Sequence, residues 1–189
     1  MTDTPPLDAT SSPSAPAGIL AALKDLEAGT LIERMRIEVM ELSAERVVAT
    51  MPVEGNTQPA GGLHGGATAA LAETVGSYGA LVHAGQGRSA VGLELSVSHH
   101  RSATAGTVTA VATALHLGRT LASYEIVVTD RDGRRLCTAR LTCMVIAERG
   151  GALRARAEGL AARELGPAHS GDQGVPLAQM PVRMMLAND

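Results

Sequence analysis

The sequence predicts an α+β domain in which one long central helix is wrapped by a strongly curved antiparallel sheet. Three observations predict it. The stretch from Ala67 to Leu81, "ATAALAETVGSYGAL", is dominated by Ala, Gly, Leu and Val and carries one acidic residue, Glu73, with no Lys or Arg. A helix apolar on nearly all sides is expected to be buried all round. Around it lie segments that alternate apolar and polar residues, two before and four after, which is the period of half-buried strands. The chain also has no Phe or Trp, and only Tyr78 and Tyr124. Its core must be Leu, Val, Ile, Ala and Met, so close backbone approach through Gly and Ala has to contribute to packing.

The elements follow in order. Residues 1–17, rich in Pro, Ser, Thr and Ala, read as a disordered leader. They lack a basic stretch followed by an apolar one, so they do not read as a secretory signal. "GILAALKDLEAG", Gly18 to Gly29, reads as a short amphipathic helix ended by Gly29. Alternation from Ile32 to Leu42 and from Arg46 to Val53, broken by "SAE", predicts a hairpin. The loop "EGNTQPAGGL" leads into the long helix. Four alternating runs follow, the last two joined by "DRDG", whose Asp-Gly suits a tight turn. Joined by short turns, these four are expected to form an antiparallel meander. The domain is expected to span residues 18–149. Residues 150–189 form a C-terminal extension, weakly helical at "GALRARAEGLAAREL" and then flexible.

Bulk properties exclude some functions. The 189 residues suffice for one domain with tails, and a net charge of −3 gives no footprint for nucleic acid or an anionic membrane. No run of about 18 apolar residues suggests a membrane span. Cys137 and Cys143 are six residues apart. On one strand they would share a face about 20 Å apart, too far for a disulfide. Free thiols and a cytoplasmic location are expected.

The stretches "HGGATAALAETVGS", "VGLELSVSHHRSATAG", "LHLGRT" and "VVTDRDGRRLCTARLT", with the strand order, resemble a hot-dog-fold acyl-CoA thioesterase over roughly residues 30 to 149. The branch most similar holds phenylacetate-pathway thioesterases and the actinobacterial 4-hydroxybenzoyl-CoA thioesterase. Ser102 stands where that family usually has Pro, and Ser77 where Thr is common. The resemblance implies hydrolysis of an aryl- or arylacetyl-CoA thioester to the acid and CoA, with no cofactor, since coenzyme A is part of the substrate. It also implies a homodimer, often a dimer of dimers and so a homotetramer. Rival readings are a medium-chain acyl-CoA thioesterase, a hot-dog hydratase or dehydratase, and a non-catalytic acyl-CoA-binding module.

Thioester hydrolysis needs a polarised carbonyl and a nucleophile, or a base that activates water. A helix start offers unpaired N–H groups and partial positive charge. Gly65 and Gly66 have no side chains to block them, which makes the Gly65 N–H the candidate oxyanion donor. Glu73 is the candidate nucleophile or general base. Ser77, at i+4, is expected to orient it. Gln58 is expected to donate to an oxygen or to the leaving sulfur, and His64 to donate to the thioester or brace the loop. Gly65 and Glu73 lie eight residues apart, about 12 Å along one helix. Both must approach one reacting carbon, so two chains about a two-fold axis are expected to share each site. Arg101, Arg119 and Arg149, at strand ends, and Thr120 are candidate CoA-binding residues, with solvated turn arginines as the alternative. His99-His100 does not read as a metal site, because adjacent strand residues point to opposite faces. No metal is expected.

Overall fold

The structure, a computed structural model, describes Lys24, residues 26–85 and residues 87–147. The expected leader, the C-terminal extension, Arg149 and most of the first helix lie outside the described residues. Helix α1 (Leu31–Met35) is followed by β1 (Glu38–Leu42), β2 (Arg46–Pro52), helix α2 (Gly65–Ala84), β3 (Arg88–His99), β4 (Thr107–Leu117), β5 (Leu121–Thr129) and β6 (Arg135–Ala147). The six strands form one sheet in the order β1-β2-β4-β5-β6-β3. All neighbours are antiparallel.

Two expectations need correction. Residues 32–35 are a single helical turn and not the start of a strand. Glu33 accepts a hydrogen bond from the Gly29 N–H at 2.7 Å, and Arg36 ends the turn in the left-handed conformation at φ 55°. The Thr30 hydroxyl does not cap the turn but donates to the Glu27 carbonyl at 2.5 Å. The last four strands are also not a simple meander. β3 pairs with β6 and stands at the sheet edge, away from β4. The link to β4 runs beneath the start of β6, where the His100 and Arg101 N–H groups donate to the Leu136 carbonyl. It then passes the entry to α2, where the Leu63 N–H donates to the Ala103 carbonyl at 2.7 Å.

α2 packs against the sheet and contacts all six strands. Val47, Ala49, Met51, Val108, Ala110, Ala112, Tyr124, Ile126, Ala139 and Leu141 meet Leu71, Ala72, Val75 and Ala80 in one core. Small residues allow this closeness. A Cβ at Gly76 would lie 2.6 Å from Leu141 Cδ2, and one at Gly79 would lie 2.8 Å from Tyr124 Cε1. The helix is not buried all round within one chain. Glu73 is exposed, and Ala70, Thr74, Ser77 and Tyr78 are half-buried, because the sheet covers only the other side. The β3 edge is likewise uncovered, with Val91 and Leu93 exposed. Among the described residues no helix is long and apolar enough to cross a membrane.

Candidate active site

The start of α2 is built by a loop that folds back on itself. Thr57 and Leu63 form an isolated antiparallel bridge, and the Gln58 N–H donates to the Gly62 carbonyl at 2.8 Å. This turn presents the Gln58 side chain, exposed and without a hydrogen bond among the described residues. Asn56, almost fully buried, ties the loop down: its Nδ2 donates to the Met35 and Pro52 carbonyls, each at 2.9 Å. Its own carbonyl accepts from the His64 N–H at 2.9 Å.

His64 is the N-cap of α2. Its Nδ1 accepts from the Gly66 N–H at 2.8 Å, so the ring proton sits on Nε2, which stays available as a donor. The Thr68 N–H donates to the His64 carbonyl at 3.1 Å. The Gly65 N–H has no acceptor among the described residues. His64 thus braces the helix start through one nitrogen and keeps the other free, so both roles expected of it are open at once.

A residue not singled out for this site joins it. His99, at the end of β3, places its ring over the helix start: a Cβ at Gly65 would lie 3.0 Å from His99 Nε2. His100 turns the other way and its Nε2 pairs with Thr138 Oγ1 at 2.9 Å. The two rings part, as alternation along a strand requires. The His-His pair was legible in the sequence, but the loop that brings it beneath α2 is a tertiary feature.

Two turns along α2, Glu73 makes no hydrogen bond or ion pair among the described residues. Gly92, opposite on β3, leaves it room: a Cβ there would lie 3.3 Å from Glu73 Oε1. Gly92 sits at a register shift between β3 and β6, the kind of strand glycine that marks a bulge. Ser77 makes no hydrogen bond to Glu73 among the described residues. It shares a helix face with Glu73 and neighbours the Cys143 thiol. Burial pushes both thiols up; at Cys143 the Ser77 hydroxyl opposes this and the Glu73 charge adds to it. Both cysteines are free and buried, as their spacing implied.

Beside Glu73 opens a cleft of about 200 Å³. Leu31, Ile32, Met35 and Ile37 form one wall; Ala70, Thr74, Ser77 and Tyr78 of α2 form the other, with Glu73 at its lip. Tyr78 donates to Glu27 Oε1 at 2.6 Å. Burial raises the Glu27 carboxyl above its ordinary range, against the pull of Tyr78 and Lys24. Burial, then the Glu27 hydrogen bond and charge, raise the Tyr78 hydroxyl in turn.

The candidate CoA residues do not gather within one chain. Arg101 stands beside the start of α2, whereas Arg119 and Thr120 occupy the β4–β5 turn beside its end, where His83 pairs with the Gly118 carbonyl. The 20-residue helix separates them by about 30 Å. Arg88 joins the second group by donating to the Arg119 carbonyl. Among the described residues no three His, Cys, Asp or Glu side chains are grouped to hold a metal.

Residues 60–137 match the thioesterase superfamily. The chain is 48% identical over 128 residues to the protein named proofreading thioesterase EntH of Cronobacter turicensis, covering 67% of this chain and 93% of that one. Among solved structures, a thioesterase from Haemophilus influenzae superposes with a TM-score of 0.65 at 36% identity, covering 68% of this chain and 90% of that one. A Gln-to-Ala variant of a thioesterase from Pseudomonas aeruginosa gives a TM-score of 0.65 at 34% identity, over 72% of this chain and 98% of that one.

Proposed function

The chain belongs to the thioesterase superfamily and is a thioester hydrolase with the hot-dog thioesterase fold, and from that premise we propose that it hydrolyses aryl- or arylacetyl-CoA thioesters at the cleft beside Glu73. One observation carries the reading. Glu73 is an exposed carboxylate without a hydrogen bond or ion pair among the described residues, at the lip of an apolar cleft, on a helix otherwise small and apolar. If a second chain covers this apolar face, the carboxylate is taken from water without a partner from its own chain, a cost that chemistry and not packing accounts for.

The reaction assigns each group a task. The thioester carbonyl oxygen rests on the free Gly65 N–H at the positive end of α2. Glu73 either adds to the carbonyl carbon or takes a proton from a water that does so. The C–S bond then breaks, and the CoA sulfur leaves with a proton. His64 Nε2–H and the Gln58 amide are the donors at hand. Where Glu73 itself has added, a water then cleaves the mixed anhydride, releasing the acid and restoring the carboxylate. Carboxylate, amides and water suffice, so the chemistry calls for no metal or cofactor.

Within one α2, Gly65 and Glu73 are about 12 Å apart along the axis, too far to serve one carbon. We therefore read the active unit as a homodimer with two shared sites, each joining the Gly65 of one chain to the Glu73 of the other. The uncovered α2 face and the unpaired β3 edge support it. A two-fold pair with antiparallel helices would also bring Arg101 of one chain toward the partner's Arg119 and Thr120, giving CoA phosphates one basic place to rest. Further association into a dimer of dimers remains part of this proposal, as does a cytoplasmic location, which the two free thiols support.

The size of the cleft supports the acyl class. A dry cavity of about 150 Å³ in another protein accepts benzene, so about 200 Å³ suits one ring with a short linker. The proofreading name of the relatives favours a second reading, a clearing role that accepts many acyl groups with similar efficiency. A thiol-release panel of benzoyl-, phenylacetyl-, octanoyl- and acetyl-CoA separates them: the first reading expects a clear preference for the aryl esters, the second a flat profile. In the same assay Glu73→Gln should lose at least about 10²-fold in kcat. Enoyl-CoA hydration in place of thiol release would overturn both readings.

A further inference from the structure

The outer wall of the cleft is a short strap, residues 27–35, tied at both ends. At its start the Tyr78 hydroxyl donates to Glu27 Oε1 at 2.6 Å; at its end Asn56 Nδ2 donates to the Met35 carbonyl at 2.9 Å. Between the ties, the Thr30 N–H donates to the Glu27 carbonyl and the Gly29 N–H to Glu33 Oε2, so the strap holds its own shape. Leu31, Ile32 and Met35 are the side chains it presents to the cleft.

The tie at Tyr78 is unusual for a packing contact. Glu27 is only 8% exposed, and a buried carboxyl is tolerated only with a partner. Its partner is itself a wall of the cleft, on α2 five residues beyond Glu73. One bond thus joins the strap to the helix that carries the reactive carboxylate, 51 residues away in the chain.

We propose that the Tyr78–Glu27 hydrogen bond sets the width of the acyl cleft by fixing the strap, so that Tyr78 is a positioning residue for acyl selection. The proposal rests on reading the Glu73 cleft as the acyl site. An aryl group fills the space between strap and helix and depends on the distance between them. An acetyl group does not reach the strap wall and is indifferent to it.

Tyr78→Phe removes the tie and keeps the ring; Glu27→Gln keeps an acceptor oxygen for the hydroxyl. Glu27→Leu removes the same tie from outside the cleft lining. It should raise KM for benzoyl-CoA about fivefold, the scale of one hydrogen bond, leaving kcat/KM for acetyl-CoA nearly unchanged. Tyr78→Phe should reproduce the benzoyl-CoA loss. Glu27→Gln should keep the wild-type profile. Equal damage on both esters, or none on either, would overturn the proposal. A second measurement needs no turnover. Hydrogen exchange at the Thr30, Arg34 and Ile37 amides should speed up about three- to tenfold in Tyr78→Phe, with the sheet amides unchanged. Unaltered exchange in the strap would overturn the proposal as well. A wild type that releases thiol from no CoA ester would sink the functional reading alone, because the exchange result still decides whether Tyr78 fixes the strap.

Discussion

The His99 ring rests against the backbone of Gly65, with its Nε2 3.0 Å from where a Cβ on that glycine would sit. This contact joins the end of β3 to the first residue of α2 and leaves the helix start open to a ligand. Gly65→Ala would press a methyl into both the ring and the approach to the N–H. A misplacement of this size costs catalysis more than folding, since Ala is otherwise the better helix former. Gly65→Ala should lower kcat about tenfold or more while its melting temperature stays close to wild type. Steady-state kinetics with a thermal melt check it; a fully active variant would remove Gly65 from the site.

Gly79 tests how the helix is held. A Cβ there would lie 2.8 Å from Tyr124 Cε1 and 3.0 Å from its hydroxyl oxygen. Tyr124 is fully buried and its hydroxyl donates to the Ala44 carbonyl at 2.8 Å, so the ring has no room to swing away. Gly79→Ala gains about 1 kcal/mol of helix propensity but overpacks the core at about 1–3 kcal/mol. Urea unfolding should show net destabilisation. A variant more stable than wild type would mean that sheet and helix are less tightly apposed.

Much of this was legible in the sequence, and the failures have physical causes. Composition alone identified α2, because a span of Ala, Gly and Val with one carboxylate has few other folds to serve. Alternation located all six strands. It could not say that β3 pairs with β6, since a period of two reports which face is buried and not which neighbour lies beside it. Alternation also misread residues 32–35, where Glu33 reaching back to the Gly29 N–H and the left-handed Arg36 close one helical turn. At the proposed site, Gly65 and Glu73 stand out in the sequence as exceptions to their surroundings. His99, Gly92 and the Tyr78–Glu27 tie do not, because each depends on a contact between distant segments.

The two cysteines give a prediction from burial. Both thiols are fully buried and pushed above their ordinary range by that burial. The folded state holds them protonated, and the thiolate is the reactive form. At pH 8 neither Cys137 nor Cys143 should be alkylated by iodoacetamide in the native protein, and both should be alkylated once it is unfolded in urea. The sign of the linkage agrees. Any stability their raised values confer is intact below the ordinary thiol pKa and fades as pH rises through the folded values. Intact-mass spectrometry reads the labelling, and rapid native alkylation at Cys143 would place that thiol outside the core.

The central claim is that Gly65 and Glu73 act from different chains, and mixing two inactive variants tests it most directly. One parent carries Glu73→Ala; the other carries Gly65→Val, which blocks the helix start. In a mixed dimer one site inherits both lesions and the other inherits neither. Co-refolding equal amounts should give about half mixed dimers with one intact site each, or roughly a quarter of wild-type activity. Subunit exchange is verified by mass spectrometry. Activity near that level, well above either parent, is the predicted result; activity no higher than the average of the parents would contradict the shared site.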